Sequence, residues 1–454
     1  MINHSLEEVL KKKKNELLKY KNTSVKFRLE LLKKLKNTIL HSQDEILGAL
    51  KSDFNKPKME AQLTEIMPVI SEINLVIRDL SKWMKHQKVK TPFLYFGTSS
   101  HIRYEAKGVC LILGPWNYPF NLVLYPLISA VAAGNTVIIK PSEFTPHVKI
   151  IIKKIIEATF ETTHVSFIEG DVGVAKELLA LPFDHIFFTG STTVGKLVMK
   201  AASEHLSSVT LELGGKSPLI VDSHIDVKKI IPQILWGKFT NSGQTCIAPD
   251  YLVVSHEIKE KFLKELKAHL DYLYVKESDY SFSASIVNDK NKNRLIALKE
   301  NAIQQGATVF WEGEHRENFL APTILLNVPL DSLLMKEEIF GPILPIFFWQ
   351  CKTEISELIA MNPYPLALYI FSEDKDFAEE MLAKSQSGGV CINDVILHYA
   401  NHKLPFGGIR SSGIGAYHGH FGFLEFSHKR AVLRRKRDFG LRYFYPPYFS
   451  RKIK

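Results

Sequence analysis

The chain of 454 residues has only four cysteines, Cys110, Cys246, Cys351 and Cys391, and no two form a CxxC pair. That scarcity excludes a disulfide scaffold and any Cys-based metal centre, and each thiol has to be read singly. The opening residues are Lys-rich rather than apolar, so no secretory leader is expected, and a cytoplasmic setting is. Internal repeats and low-complexity linkers are missing. RNP, zinc-finger and helix-turn-helix patterns are missing too, so the net charge of +10 brings no nucleic-acid signature with it. The basic residues gather in Lys11 to Lys14 and in Arg434-Arg435-Lys436-Arg437 with Arg451, Lys452 and Lys454. These runs read as solvated charged faces, the last with room for weak peripheral membrane contact.

Charge is also absent from Val109 to Ile139, a stretch long enough to cross a bilayer. Gly114, Pro115, Pro119, Pro126 and Gly134 interrupt it, and the longest helix it can hold runs from about Asn121 to Ala133. A buried strand, loop, helix and strand is the expected structure.

What is present is a regular alternation. The first 90 residues carry apolar positions at helical spacing, as in Leu6 to Leu18 and Val25 to Leu40. Strand-like runs follow at Val109 to Leu113, Thr136 to Ile139, Val165 to Ile168 and His185 to Phe188, separated by helices over about 147–160 and 192–204. The alternation resumes beyond Glu212 with strands at Leu219 to Val221, Leu252 to Val254 and Ala367 to Phe371. Such spacing predicts an α/β protein with doubly wound parallel sheets, which bind nucleotides at the carboxyl ends of their strands.

Several segments carry chemistry. In Asn241-Ser242-Gly243-Gln244-Thr245-Cys246 a thiol follows a polar, Gly-containing loop, where backbone amides would lower its pKa and make it a nucleophile; the alternative is a buried structural cysteine. In Leu211-Glu212-Leu213-Gly214-Gly215-Lys216 an apolar setting would raise the glutamate pKa towards that of a general base, unless Lys216 pairs with it. Phe188 to Gly195 passes from a strand end into a helix N-terminus, with Ser191 and Thr192 as cap residues and free amides suited to a pyrophosphate. Lys140 and Glu143 stand beyond one strand end and can reach ribose hydroxyls, or form a charged loop. Asn117, in Gly114-Pro115-Trp116-Asn117-Tyr118-Pro119, can donate to an oxyanion.

Taken together and in this order, these motifs resemble the aldehyde dehydrogenase superfamily. The resemblance extends through Glu337-Glu338-Ile339-Phe340-Gly341-Pro342 and Leu404-Pro405-Phe406-Gly407-Gly408, and the segment 413–420 is most similar to class 3 members. It implies Cys246 as nucleophile, Glu212 as general base and Asn117 as oxyanion-hole amide, working with the Cys246 N–H. Cofactor contacts are implied for Lys140, Glu143, Gly190, Ser191, Gly195, Glu338 and Phe340. Tyr118 and Trp236 are implied to line the aldehyde tunnel, with ordinary packing the alternative, and no metal is implied. Arg410 stands where a small or neutral residue is expected.

The resemblance further implies a Rossmann-like cofactor domain (1–85 and 104–211), a catalytic α/β domain (212–396) and a small bridging element with the tail (86–103 and 397–454) that pairs subunits into a homodimer. The expected reaction is oxidation of a medium- or long-chain or aromatic aldehyde to its acid, with NAD and with NADP tolerated, through a Cys246 thioester that Glu212-activated water hydrolyses. A semialdehyde-specific or coenzyme A-acylating enzyme, or a catalytically silent relative acting as a binding protein, is the alternative.

Overall fold

The structure, a computed structural model, describes residues 6–276, 282–315, 319–435 and 445–446. Most of the carboxyl-terminal basic run and Pro447 and Tyr448 lie outside the described residues.

Three sheets organise these residues. The first has the spatial order Gly413–Ile414, Ser208–Glu212, His185–Thr189, Val109–Leu113, Thr136–Lys140, Val165–Phe167. All its neighbours are parallel except Gly413–Ile414, which runs antiparallel to Ser208–Glu212. Two of its inner strands, Val109–Leu113 and Thr136–Lys140, are buried over their whole length, as apolar runs covered on both faces must be. From Val109–Leu113 the chain winds outward through Thr136–Lys140 and Val165–Phe167, then crosses back to His185–Thr189 on the other side. Strand order therefore reverses between Val109–Leu113 and His185–Thr189, and a crevice opens beyond their carboxyl ends.

The uncharged stretch folds as expected: strand Val109–Leu113, loop, helix Asn121–Ala133 and strand Thr136–Lys140. Every residue of that helix is buried. Gly134 ends it in a left-handed conformation (φ 90°), its N–H bonding the carbonyls of Ala130 and Val131. No helix among the described residues is long and apolar enough to cross a membrane.

The second sheet has the order Thr308–Glu312, Thr323–Leu326, Ile343–Trp349, Tyr251–Ser255, Pro218–Val221, Ala367–Phe371, Gly389–Ile392, parallel apart from its first pair. A third, antiparallel sheet joins Gln87–Val89, Thr98–Ala106 and Ser427–Arg435. Within 397–435, then, Gly413–Ile414 belongs to the first sheet, helix Gly419–Glu425 packs on helices Asn121–Ala133 and Met67–Trp83, and Ser427–Arg435 enters the three-stranded sheet.

One member of the Lys11 to Lys14 run departs from the solvated face expected for it. Lys13 is buried, and its Nζ donates to the carbonyls of Thr162 and His164 at 3.1 and 3.2 Å. Burial lowers its pKa to about 7. Helix Leu6–Lys21 lies against the first sheet, so one face of the run has no water to meet.

Candidate active site

At the reversal of strand order lies a cavity of about 700 Å³. Its walls bring together Asn117, Gly190, Ser191, Glu212, Cys246, Glu338 and Phe340, seven of the residues singled out in the sequence. They come from separate segments, which only the two sheets place side by side.

Cys246 follows an unusual turn. Asn241, Ser242 and Gly243 are consecutive residues with left-handed backbone (φ 54°, 54° and 72°). A side chain on Gly243 would run into the Gly341 carbonyl. Hydrogen bonds hold the turn on every side. Glu60 Oε1 accepts the Asn241 N–H at 3.0 Å, and Asn241 Nδ2 donates to the Asn117 carbonyl at 2.9 Å. The Ser242 hydroxyl donates to the Ala284 carbonyl, and Gln244 Nε2 to the carbonyls of Asn241 and Ser285. Such a run of left-handed residues survives only where the surroundings over-determine it.

The electrostatics reverse one expectation. Burial pushes the Cys246 thiol pKa up, and the nearby Glu338 and Glu212 carboxylates add to the rise. The backbone amides of Cys246 and Ile247 pull the other way without prevailing. The lowered pKa anticipated from the loop sequence is therefore not found, because the hexapeptide reveals neither the burial of the thiol nor the two carboxylates that fold in beside it.

Glu212 ends its strand deep in the protein. Burial first, and the charge of Glu425 second, raise its pKa well above the usual carboxylate range. Neither carboxylate oxygen has a hydrogen-bond partner. Lys216 does not pair with it; its Nζ binds Asp250 and the carbonyls of Leu334 (2.8 Å) and Glu337 (3.0 Å). Arg294 donates to the carbonyls of Glu338 and Ile339, and Asp250 Oδ1 accepts the Ile339 N–H. These bonds pin the loop that carries Glu338, whose carboxyl burial pushes up to about 8. Arg294, Asn291 and Lys336 line the cavity and carry no signal in the sequence. Asn291 and Arg294 sit on helical positions with no motif around them, and Lys336 stands just before the motif that begins at Glu337.

Asn117 donates from Nδ2 to the Gln244 carbonyl at 3.0 Å, which fixes its side chain beside the turn that precedes Cys246. Phe340 has a left-handed backbone (φ 50°) and packs edge-on against Trp116, ring centroids 5.3 Å apart. Ser191 caps helix Thr192–Ser203, its hydroxyl accepting the Val194 N–H at 3.4 Å, and the first amides of that helix open on the cavity. The buried Thr189 hydroxyl on the same wall has no partner. Gly195 sits one turn on, where a side chain would strike Leu213.

Lys140 and Glu143 form an ion pair of 3.0 Å beyond the next strand end, beside the cavity rather than in its walls. Tyr118 and Trp236 also lie outside those walls. Tyr118 is buried, its hydroxyl 2.6 Å from Thr245 Oγ1 and its ring under Lys56 Nζ at 4.3 Å. Trp236 is 45% exposed on helix Val227–Phe239. Arg410 lies over Tyr364 (4.7 Å) and donates to its hydroxyl at 2.7 Å.

Comparison with known proteins follows the same lines. The sequence profile of the aldehyde dehydrogenase family matches residues 3–432. The chain is 44% identical over 428 residues to the 4,4'-diaponeurosporen-aldehyde dehydrogenase of Staphylococcus aureus, covering 93% of this chain and 92% of that protein. It is 41% identical to aldehyde dehydrogenase family 3 member H1 of Arabidopsis thaliana, covering 94% and 89%. A solved structure described as the substrate-bound state of Staphylococcus aureus AldH superposes with a TM-score of 0.93 at 41% identity, covering 98% of this chain and 97% of that one. The crevice at the strand reversal, the cavity it feeds and these matches agree, and the chain belongs to the aldehyde dehydrogenase family, the NAD(P)-dependent oxidoreductases of aldehydes.

Proposed function

We propose that Cys246 attacks an aldehyde, that the resulting acyl group is held as a thioester on its sulfur, and that water activated by Glu212 releases the acid. The observation that carries this reading is the convergence of Cys246, Glu212 and Asn117 on one cavity. A nucleophile, a base and an amide donor are the three groups acyl chemistry at a carbonyl requires.

The residues present suit a dinucleotide. Thr189, Ser191, Thr192, Thr193 and the pinned Glu338 all line the space where it would lie. When bound, the nicotinamide group supplies the hydride acceptor. Gly190, Ser191 and Gly195 would hold its pyrophosphate, Glu338 and Phe340 its nicotinamide end, and Lys140 with Glu143 its adenosine ribose. A carboxylate at Glu143 disfavours a 2′-phosphate, so NAD is preferred and NADP tolerated.

Asn117 and the Cys246 N–H orient the carbonyl oxygen and offset the charge that grows on it. The intact base at Glu212 favours hydrolysis over transfer to coenzyme A. Met59, Leu63 and Met67 are exposed at four-residue spacing, beside the Glu60 that grips the nucleophile turn, and Trp236 precedes that turn. This exposed apolar surface near the turn suits medium- or long-chain or aromatic aldehydes better than small semialdehydes. The three-stranded sheet ends in the open edge strands Gln87–Val89 and Ser427–Arg435, which suit pairing of two copies into a homodimer. A free nucleophilic thiol suits a reducing cytoplasm.

The test is an aldehyde panel run with NAD and with NADP, combined with mass spectrometry of Glu212→Gln protein quenched during turnover. An acyl adduct on the peptide containing Cys246 is expected. Turnover without any such adduct would exclude the thioester.

A further inference from the structure

Glu212 has a second requirement that the site described so far leaves unmet. When water attacks the thioester, a C–O bond forms at the acyl carbon, the C–S bond breaks with its electrons going to sulfur, and one water proton passes to the Glu212 carboxylate. That proton must leave before the next turnover. Among the described residues nothing hydrogen-bonds to either Glu212 oxygen.

The strand that carries Glu212 leads to an outlet. Ser208, Thr210 and Glu212 alternate along it and so share one face of the sheet, each about 7 Å from the next. On that face the Thr210 hydroxyl donates to Glu425 Oε1 at 2.6 Å. Thr210 Oγ1 also lies 3.1 Å from Nε2 of His185 on the neighbouring strand. His185 Nδ1 is met by the Ser208 hydroxyl at 2.9 Å and by Lys107 Nζ at 3.2 Å. Burial keeps that imidazole neutral. With Lys107 donating to Nδ1, Nε2 carries the hydrogen and donates to Thr210, which must then turn its own hydrogen to Glu425. The hydroxyl is thus aimed at the carboxylate by its neighbours.

Glu425 closes helix Gly419–Glu425 and is half-buried, with Oε1 on this polar row. Gly415 makes room for it: a side chain there would lie 2.7 Å from Glu425 Oε1 and 3.1 Å from Thr210 Cγ2. The ionisable groups that face Glu212 are Glu425, Cys246 and Tyr417; Lys107 faces Glu425 from the opposite side.

We propose that Glu425, oriented by Thr210 and His185, is the positioning residue through which the proton taken up by Glu212 leaves for solvent, by way of water held between the two carboxylates. This rests on the thioester reading above. The proton moves from the Glu212 carboxyl to that water while the water passes one to Glu425, which releases it at the surface; no oxidant or reductant is involved.

The experiment compares Glu425→Gln, Glu425→Asp and the unaltered enzyme by rapid mixing with saturating aldehyde and cofactor, across pH and with or without acetate. Glu425→Gln should keep a burst of about one NAD(P)H per site, since acylation precedes the proton step. Its steady rate at the alkaline plateau should fall roughly tenfold and its solvent deuterium effect should rise. Glu425→Asp or added acetate should restore most of the loss, which a merely structural lesion would not permit. A plateau equal to the unaltered enzyme, a burst lost together with the steady rate, or a fall that neither aspartate nor acetate relieves would overturn the proposal. Failure of the thioester reading looks different: the unaltered enzyme would then show no burst dependent on Cys246, and the proposal would fall with it.

Discussion

The carboxylate of Glu338 occupies the space that any side chain on Gly214 would need. Two segments more than a hundred residues apart are thereby matched, and neither can change alone. Gly214→Ala is expected to displace Glu338 from the cavity and raise the KM for cofactor at least tenfold, while leaving the melting temperature within a few degrees. Adding Glu338→Ala should relieve the crowding, so the double variant should be no worse than Glu338→Ala by itself. A strictly additive pair would show that the two do not share space.

Replacing the two central groups separates the halves of the reaction. Cys246→Ala should abolish NAD(P)H formation from any aldehyde and keep cofactor affinity, measured by quenching of tryptophan fluorescence. Glu212→Gln should give one burst equivalent per site and then stall, because only the second half needs the base. Steady turnover by the glutamine variant at the unaltered rate would remove Glu212 from its role.

In the proposed mechanism both groups act deprotonated, and the protein holds both above their ordinary pKa values. A raised pKa means the active form is scarce at neutral pH and grows as pH climbs. The steady rate should therefore rise from neutral into alkaline solution, with an inflection well above the carboxylate range. Because Glu425 adds to the rise at Glu212, its removal by Glu425→Gln should move that inflection towards lower pH. A rate that stays flat from about pH 6 to about pH 9 would contradict the assignment.

Behind the nucleophile turn, Lys56 and Glu65 form an ion pair of 2.8 Å with both side chains wholly buried. Glu65 also accepts the Asn121 N–H, and Lys56 lies over Tyr118. Breaking such a pair from one side strands the other charge and costs about 3–5 kcal/mol. Lys56→Met should lower stability by that order in urea unfolding, and more than Lys56→Met combined with Glu65→Leu. Equal losses would mean the charge is hydrated after all.

Much of the fold and site is legible in the sequence alone, and particular residues show why. Helix Asn121–Ala133 keeps the expected ends because Pro119, Gly134 and the apolar run between them act locally. Cys246, Glu212 and Asn117 each announce themselves by neighbours within about six residues. What the sequence hides depends on partners far along the chain. The loop around Cys246 suggests an acidified thiol, but Glu338, ninety-odd residues on, helps to decide the opposite. Lys13 reads as one of a solvated run, and only packing against the first sheet turns its ammonium towards carbonyls. Arg294 and Glu425 sit in helices whose pattern records burial and says nothing of which carbonyl or hydroxyl they meet.

Gly413 and Ile414 pair with Glu212 and Leu211. The strand bearing the base therefore has an unfilled edge until some two hundred further residues have been made. On the ribosome, the thiol, the amide donor and the nucleotide crevice can all be in place while the base still lacks its flanking strand. A chain that ends before Gly413 then holds Cys246, Glu212 and Asn117 but leaves the outer edge of the strand bearing Glu212 without its partner. Folding order thus makes Gly413 and Ile414, made some two hundred residues later, the segment that closes the sheet beside Glu212.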